Sequence, residues 1–438
     1  MKSASKKVIN GWAMYDWANS VYNLVITSTI FPAYFEAITG DGNPNTTQDT
    51  VKFLGREYVN TSLYNYALSV AFIIVALISP LLSSIADYRG NKKKFLFFFC
   101  TMGSIACSLM FFFDKTNLLY GLLCLVFACV GFWSSLVFYN SFLPEIAAPE
   151  DQDRVSAKGF SMGYIGSMIL QVICFVFVLS PNTFGITVGK ASQVSFLLVG
   201  IWWWGFGQFS LRRLPNSTPI GTDKHHVFTK GYNELSKVWK QVKQMPVLKR
   251  FLLAFFFFNM GVQTVMLVAT LYGKSELNIP TEKLIIAILM IQLIAIPGAY
   301  CIAFLSKKLG NFNALLITVF LWVLLCYVGY NLPRNGVNEF YGLAIMVGFI
   351  MGGIQSLSRS TYAKLMPETK DTTSFFSFYD VTEKISIVIG MFSFGYISEF
   401  SGSQRNSVLV LAIFFIIGLI VLISAAATQK KIVKNEIV

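Results

Sequence analysis

The chain has 438 residues, of which 55% are hydrophobic and 13% charged, and its formal net charge is +13. Soluble globular chains are ~45–50% apolar and ~25% charged, so this composition excludes a soluble fold. The excess positive charge sits in short loops between long apolar blocks, which reads as membrane orientation and not as a nucleic-acid surface.

Apolar blocks of ~20 residues match the ~30 Å hydrocarbon core of a bilayer. Bounded by turn and charge signals, they predict spans over 11–38, 61–85, 94–113, 117–143, 157–180 and 193–211 in the first half. The second half gives 248–272, 283–305, 312–331, 339–362, 375–397 and 406–427. The spans must be helices, because lipid cannot satisfy open backbone groups. Stretches such as Leu409–Ala427 lack the alternation of a barrel strand. The first block carries Asp16, Asn19 and Asn23 and is too long for the apolar region of a signal peptide, so it is expected to stay as the first span.

An even number of spans puts both termini on one side. That side holds Lys2, Lys6, Lys7, the Arg89–Lys94 cluster, Arg154, Lys158, the 212–250 segment, Lys307, Lys308, Arg359, Lys364, Lys370 and the tail lysines. About 26 basic residues lie there against about 8 opposite, with Lys384 inside a span, so both termini are expected in the cytoplasm. The longest loop on that side falls at the midpoint. It divides the chain into a bundle over 1–211, a linker over 212–246 and a bundle over 247–438. The linker holds Pro215, Pro219 and Gly221, then a basic amphipathic stretch from Lys230 to Lys243. That stretch is either a helix lying on the membrane surface or a solvated tether.

A weak internal repeat agrees with this division. Gly90-Asn91 recurs as Gly310-Asn311, 220 residues later, and Pro144-Glu145 as Pro367-Glu368, 223 residues later. Parallel six-helix repeats are the architecture of major facilitator superfamily transporters. The expected fold is therefore all-α and membrane-embedded, with twelve transmembrane helices in two six-helix bundles related by a pseudo-two-fold axis.

All seven cysteines fall in apolar blocks without metal-ligand company, and the only histidines, His225 and His226, sit in a polar loop. No disulfide, metal, cofactor or catalytic constellation is expected. Gly159, Gly163 and Gly166 in span five read as close helix packing or a hinge. No strand precedes them, as a nucleotide loop would require. Asn45-Thr46-Thr47 and Asn60-Thr61-Ser62 match glycosylation acceptors on the opposite side.

The loop after span two reads Ser83-Ser84-Ile85-Ala86-Asp87-Tyr88-Arg89-Gly90-Asn91-Lys92-Lys93-Lys94. It resembles the signature loop of the major facilitator superfamily, with Asp87, Arg89, Gly90, Lys92 and Lys93 in the matching places. Ser83 stands where glycine is usual, and Asn91 where a base is common. Gly90 permits a tight turn, and Asp87 can pair with a base or face a helix N-terminus. The resemblance implies a gating latch between the halves that includes Asp87 and Arg89; the alternative is a simple positive anchor.

In span one, Asp16, Asn19 and Asn23 recur at three and four residues and share one helix face, extended by Trp12 and Thr27. Such a stripe is costly in lipid unless it faces a cavity or a partner, although Asp16 also lies near enough to the end to anchor at the interface. In span eleven, Asp380 and Lys384 form an i, i+4 pair, leaving Glu383 in need of a partner or a proton. These three are either a proton-coupling group or a structural charge cluster. Asp16 and Lys384 should lie at similar depth, which makes a pair between the halves an expectation.

Asn140, Gln171, Gln208, Asn259, Gln263, Gln292 and Gln355 are uncharged polar residues deep in spans. In the superfamily fold, spans one, four, seven and ten line the central cavity. That selects Asn140, Asn259, Gln263 and Gln355, together with Asp16, Asn19 and Asn23, as substrate contacts. The other three are expected to join neighbouring helices.

Three first-half motifs resemble the vacuolar effluxer-like family within this superfamily. They are Trp12-Ala13-Met14-Tyr15-Asp16-Trp17-Ala18-Asn19-Ser20, the run from Phe138 to Ile146, and the run from Arg154 to Phe160. The second half matches more loosely, through Tyr379-Asp380-Val381. The fungal branch is associated with amino-acid efflux from the vacuole, and the bacterial branch is largely of unassigned function. The resemblance implies a secondary transporter working by alternating access. Its substrate would be a small polar or amphipathic solute, best taken as an amino acid or peptide. It would be driven by protons through Asp16 or Glu383, or act as a uniporter. It would be a multi-pass monomer among the lipids of a bacterial inner membrane. The alternative is a lipid or lysolipid transporter, which an opening between spans five and eight would favour. The lack of an intramembrane histidine, a cysteine–histidine pair or a metal constellation argues against an enzyme.

Overall fold

The computed structural model describes residues 2–40, 49–217, 219 and 227–437. Asn45-Thr46-Thr47, Gly221 and the His225–His226 pair lie outside the described residues. The first span is a composite of α1 (Lys6–Val21), a π-helical segment (Tyr22–Ile30) and α2 (Phe31–Thr39). A two-stranded antiparallel hairpin follows, β1 (Thr50–Phe53) and β2 (Arg56–Val59), with Thr50 opposite Val59. Its turn uses Leu54 and Gly55, both at positive φ, as two-residue hairpin turns require. This hairpin is the one departure from an all-helical chain among the described residues.

The remaining first-half elements are α3 (Asn60–Arg89), α4 (Lys92–Leu109), α5 (Leu118–Asn140), the short α6 (Leu143–Ile146), α7 (Gln152–Leu179) and α8 (Val188–Leu211). The connecting α9 (Val227–Gln244) leads into α10 (Pro246–Ser275), α11 (Thr281–Leu309), α12 (Asn311–Tyr330), α13 (Val337–Leu365), α14 (Thr372–Ser401) and α15 (Gln404–Ile437). The first predicted span falls on the composite of α1, the π segment and α2, and each of the other eleven on one of these helices, which generally run several residues beyond the apolar block at one or both ends. Among the described residues, ten helices are long and apolar enough to cross a membrane. The composite first helix and α14 are outside that set, and they carry Asp16 and the Asp380–Lys384 group.

The two halves form two six-helix bundles. In the first, α1 packs on α7 and α8, and α4 on α5 and α8; in the second, α10 packs on α14 and α15, and α11 on α13. The bundles meet along two seams, α3 against α14, and α7 against α11 and α13. The side carrying both chain ends is called the terminal side below. There, Gly90 ends α3 at φ 62°, a left-handed conformation that glycine adopts without strain. Its repeat partner Gly310 also has positive φ, 82°. The close-packing reading of the span-five glycines agrees with the geometry. A Cβ on Gly163 would meet Ser20, and one on Gly166 would lie 2.7 Å from the Trp17 carbonyl oxygen. These glycines let α7 lie directly on α1.

The amphipathic linker stretch is the helix α9. It buries Val238 and Val242, and Trp239 stacks on Phe378 of α14 with ring centroids 5.3 Å apart. The helix lies across the terminal-side ends of α3 and α14.

Candidate functional site

A cavity of about 100 Å³ lies between the bundles. Asp16, Asn19 and Asn23 of the first span line it, as do Asn140 of α5, Asn259 and Gln263 of α10, Gln355 and Arg359 of α13, and Glu383 of α14. Trp133, Phe160, Tyr164 and Tyr379 supply aromatic walls. All seven residues expected as substrate contacts therefore reach one cavity. The reason is helical: the polar residues of α1 and α10 recur at three and four positions and so fall on one face. The π segment begins just beyond Asn19. Its Ser28 and Thr29 hydroxyls donate to carbonyl oxygens five residues back, Asn23 at 2.8 Å and Leu24 at 2.9 Å. Segments of this kind are frequent at functional sites.

The terminal-side end of the cavity is closed by a buried ion pair. Arg359 Nη1 lies 3.3 Å from Asp16 Oδ2, and the side chains are only 3% and 6% exposed. Tyr139 donates its hydroxyl to the same oxygen at 2.7 Å. Arg359 also donates from Nε to Ser156 Oγ and from Nη2 to the Ser156 carbonyl, each at 2.9 Å, and from Nη1 to Asn140 Oδ1 at 3.1 Å. Trp12, Tyr139 and Phe160 surround the guanidinium with their rings. Two sequence expectations are corrected here. Arg359 does not flank a loop but lies buried within α13, and the partner of Asp16 in the other half is Arg359, not Lys384. A cation placed inside the predicted span 339–362 was the available signal, since charges inside spans face a cavity or a partner.

Lys384 instead bonds Asp380 at 2.7 Å and Glu383 at 2.8 Å, and lies 3.8 Å from the Trp133 ring centre across the seam. Glu383 is thus not left without a partner, as expected from sequence; it also accepts from Gln263 Nε2 at 3.2 Å. Of this triad, Glu383 alone lines the cavity, while Asp380 and Lys384 sit behind its wall. Two carboxylates against one ammonium leave one negative charge in excess.

The amides differ in how they are held. Asn259 donates to Ser386 Oγ at 2.6 Å, and Gln355 accepts from the Tyr164 hydroxyl at 2.7 Å. Asn19 is buried, with neither its oxygen nor its nitrogen hydrogen-bonded. Gln292 donates to Gln171 at 2.5 Å and so joins α11 to α7 across the bundles, while Gln208 Nε2 makes no hydrogen bond. Along this same seam, Ser156 donates to the Ser356 carbonyl, and Ala157, Ala299 and Ala303 pack together. Spans five and eight are in contact along this seam.

Two polar clusters close the terminal side. In one, Asp87 accepts from the Thr373 and Ser374 backbone N–H groups and the Ser374 hydroxyl, capping the N-terminus of α14. Lys92, buried, pairs with Glu145 and donates to Thr372 Oγ1 at 2.8 Å. Arg89 is exposed at the end of α3, so Lys92 and not Arg89 is the cation engaged at this seam. In the other, Asp153 at the start of α7 accepts from Ser306 at 2.7 Å, Asn311 at 2.9 Å and Lys364 at 2.6 Å. The chain start is tied alongside: Ser3 donates to Asp151 Oδ2 at 2.6 Å. That bond, followed by one from Arg154, holds the Asp151 carboxyl below its ordinary range.

The comparisons with known proteins agree with this architecture. A family model described as "Vacuole effluxer Atg22 like" matches residues 4–435. The "Uncharacterized MFS-type transporter YxiO" of Bacillus subtilis (strain 168) is 31% identical, over 94% of this chain and 93% of its own. "Autophagy-related protein 22" of Kluyveromyces lactis is 28% identical, over 95% of this chain and 92% of its own. The solved structure of the major facilitator superfamily transporter FucP in the outward conformation superposes with a TM-score of 0.65. It covers 96% of this chain and 97% of its own at 13% identity, a likeness of fold. With its family motifs, its two bundles and its central cavity, this chain belongs to the vacuole effluxer Atg22-like family of major facilitator superfamily transporters.

Proposed function

We propose that the chain is a secondary transporter that exports a small polar or amphipathic solute, an amino acid or short peptide, by alternating access. The observation that carries this reading is the cavity between the bundles, to which one half contributes Asp16 and the other Arg359 and Glu383. A site built from both halves is exposed to one side at a time when the halves rock. In this reading both termini, and the terminal side, lie in the cytoplasm, as the basic bias favours. The cargo class and the efflux direction rest on the family description. The contact between spans five and eight favours a small solute over a lipid.

The driving ion in this reading is the proton, and Glu383 is its carrier. Glu383 lines the cavity and belongs to a triad with one excess negative charge, which one proton would neutralise. Purified protein in liposomes, loaded with radiolabelled amino acids and given a pH gradient, tests the reading. Expected is efflux that follows the gradient and loses that dependence in Glu383→Gln. Efflux indifferent to the gradient removes the coupling. Failure to move any amino acid or dipeptide removes the cargo.

A further inference from the structure

The ion pair at the end of the cavity is poorly matched. Arg359 Nη1 and Nη2 both reach a single oxygen, Asp16 Oδ2, at 3.3 and 3.4 Å. A guanidinium that engages both carboxylate oxygens does so at ~2.7–2.9 Å. The guanidinium does not depend on Asp16 for its position, because Ser156 and Asn140 hold it through three other bonds. Asp16 in turn keeps its bond from Tyr139. Both members line the cavity, and they belong to different bundles. Asn19, three residues further along the same face of α1, is buried with its carboxamide unbonded. The site therefore offers a cation, an anion and a free amide within reach of one small molecule.

We infer that a zwitterionic solute inserts into the Asp16–Arg359 pair, its carboxylate on Arg359 and its ammonium on Asp16, and that insertion parts the bundles on the terminal side. This rests on the transport reading above and adds where the solute binds and what its binding releases. Insertion exchanges one loose pair for two pairs and leaves no buried charge alone. A carboxylate without an ammonium displaces Asp16 from Arg359 and leaves Asp16 unpaired. An amine without a carboxylate leaves Arg359 unpaired. Uncompensated buried charges are costly, so both half-ligands are rejected. A solute backbone does not fit between groups 3.3 Å apart unless α1 and α13 separate. The solute thus binds the parted state better than the closed one, which is the condition for a ligand to shift a conformational equilibrium.

The test uses the full chain in lipid nanodiscs with Cys301, the one exposed cysteine among the described residues, changed to serine. A reporter cysteine replaces Ser141, which is buried at the seam against Thr373. Its reaction rate with a membrane-impermeant maleimide reads the opening of the terminal side. A mixture of the nineteen standard amino acids other than cysteine, whose own thiol would consume the maleimide, should raise that rate several-fold. The corresponding amides, and the corresponding acids without the amine, should leave it unchanged. Asp16→Asn should react at the raised rate without solute and gain nothing from amino acids. If that variant does not elute as folded protein, Arg359→Gln serves the same purpose. Equal acceleration by amino acids and amides overturns the insertion, as does an Asp16→Asn reporter as protected as in the parent. Amino-acid efflux with a reporter that amino acids never expose also overturns it, while leaving the transport reading intact. Acceleration by taurine, a zwitterionic sulfonate, without efflux of any amino acid supports the insertion and overturns the proposed cargo.

Discussion

Asp87, at the end of α3, accepts both the backbone N–H of Ser374 at 2.7 Å and its hydroxyl at 2.8 Å, across 287 positions of the chain. The carboxylate sits on the first turn of α14, where the helix dipole and free N–H groups favour an anion. Replacing Asp87 by Asn keeps the shape and removes the charge. A hydrogen bond to a charged group contributes ~1.5–3 kcal/mol, so the closed state should lose about 2 kcal/mol, roughly 30-fold in the open-to-closed ratio. Maleimide access to a cysteine at Ser141 measures this ratio. Unchanged access would show that the contact does not hold the seam.

Lys92 and Glu145 give an asymmetric pair of variants. The Lys92 side chain is 1% exposed and that of Glu145 is 30% exposed. Removing Glu145 strands a buried ammonium, whereas removing Lys92 leaves a carboxylate that water already reaches. Breaking a buried pair costs ~3–5 kcal/mol. Glu145→Gln should therefore lower stability by about 3 kcal/mol and Lys92→Met by about 1 kcal/mol. Thermal unfolding in detergent reads the order. Equal losses would mean that water reaches Lys92 as easily as Glu145.

Asp16 pairs with Arg359 and Lys384 with Asp380 and Glu383, so charge exchange separates the two networks. Asp16→Arg with Arg359→Asp should recover part of the transport lost in either single change. Asp16→Lys with Lys384→Asp should recover none, because it breaks two sites at once. Rescue by the second combination, and not the first, would restore the pairing that the sequence alone suggested.

The fold was readable because lipid imposes it: apolar blocks long enough to span, separated by basic turns, leave few alternatives to twelve helices. The π segment was not, since one extra residue per turn leaves no periodic signature in Tyr22–Ile30. The 50–59 hairpin lies between two predicted spans, where the apolar-block pattern carries no information, and its four-residue strands are too short to stand out. At the site, Asp16, Asn19 and Asn23 followed from their three- and four-residue spacing, and Asn140, Asn259, Gln263 and Gln355 from the spans that line the cavity in the superfamily the sequence resembles. Arg359 was missed because basic residues near span ends were read as orientation signals. Ser356, Ser358 and Ser360 around it keep that turn of α13 small and polar, and all are buried. Such a surround suits a guanidinium held inside a protein, not one that reaches for headgroups.

Asp151 provides a pH-dependent contact outside the spans. The Ser3 hydroxyl accepts from the Ala148 N–H at 3.0 Å and donates to Asp151, and Ala4 N–H donates to the Ile146 carbonyl at 2.8 Å. The Asp151 carboxyl is held below its ordinary value of 3.8 by this bond and by Arg154. A depressed carboxyl pKa contributes stability above the unfolded value, and that contribution is lost as the pH falls through the folded value. The tether of the chain start should hold at neutral pH and release below 3.8. Hydrogen exchange at Ala4 and Ala148, followed from about pH 6 to about pH 3 and corrected for intrinsic rates, should show protection falling across this window. In Ser3→Ala protection should be low throughout. Protection that persists to the acid end would remove Asp151 from the tether.

Gly159 places the α7 backbone directly under the Asp16–Arg359 pair. A Cβ there would collide with Asp16 Oδ2 and lie 2.9 Å from Arg359 Nη2 and 3.0 Å from Trp12 Cζ3. Alanine is the better helix former by ~1 kcal/mol, so propensity alone predicts that Gly159→Ala stabilises α7. Overpacking a tight site costs ~1–3 kcal/mol, and here the atoms that must move are charged and already hydrogen-bonded. The pair should loosen before the helix does, since Asp16 belongs to the other side of the contact and can turn away. Gly159→Ala should therefore fold, expose a cysteine at Ser141 faster than the parent, and respond weakly to solute. Gly205→Ala on α8, where a Cβ meets nothing within 4 Å, is the control and should be neutral or slightly stabilising. If Gly159→Ala behaves like the control, the α1–α7 contact yields enough to admit a methyl group, and the ion pair is not held in place by the glycine beneath it.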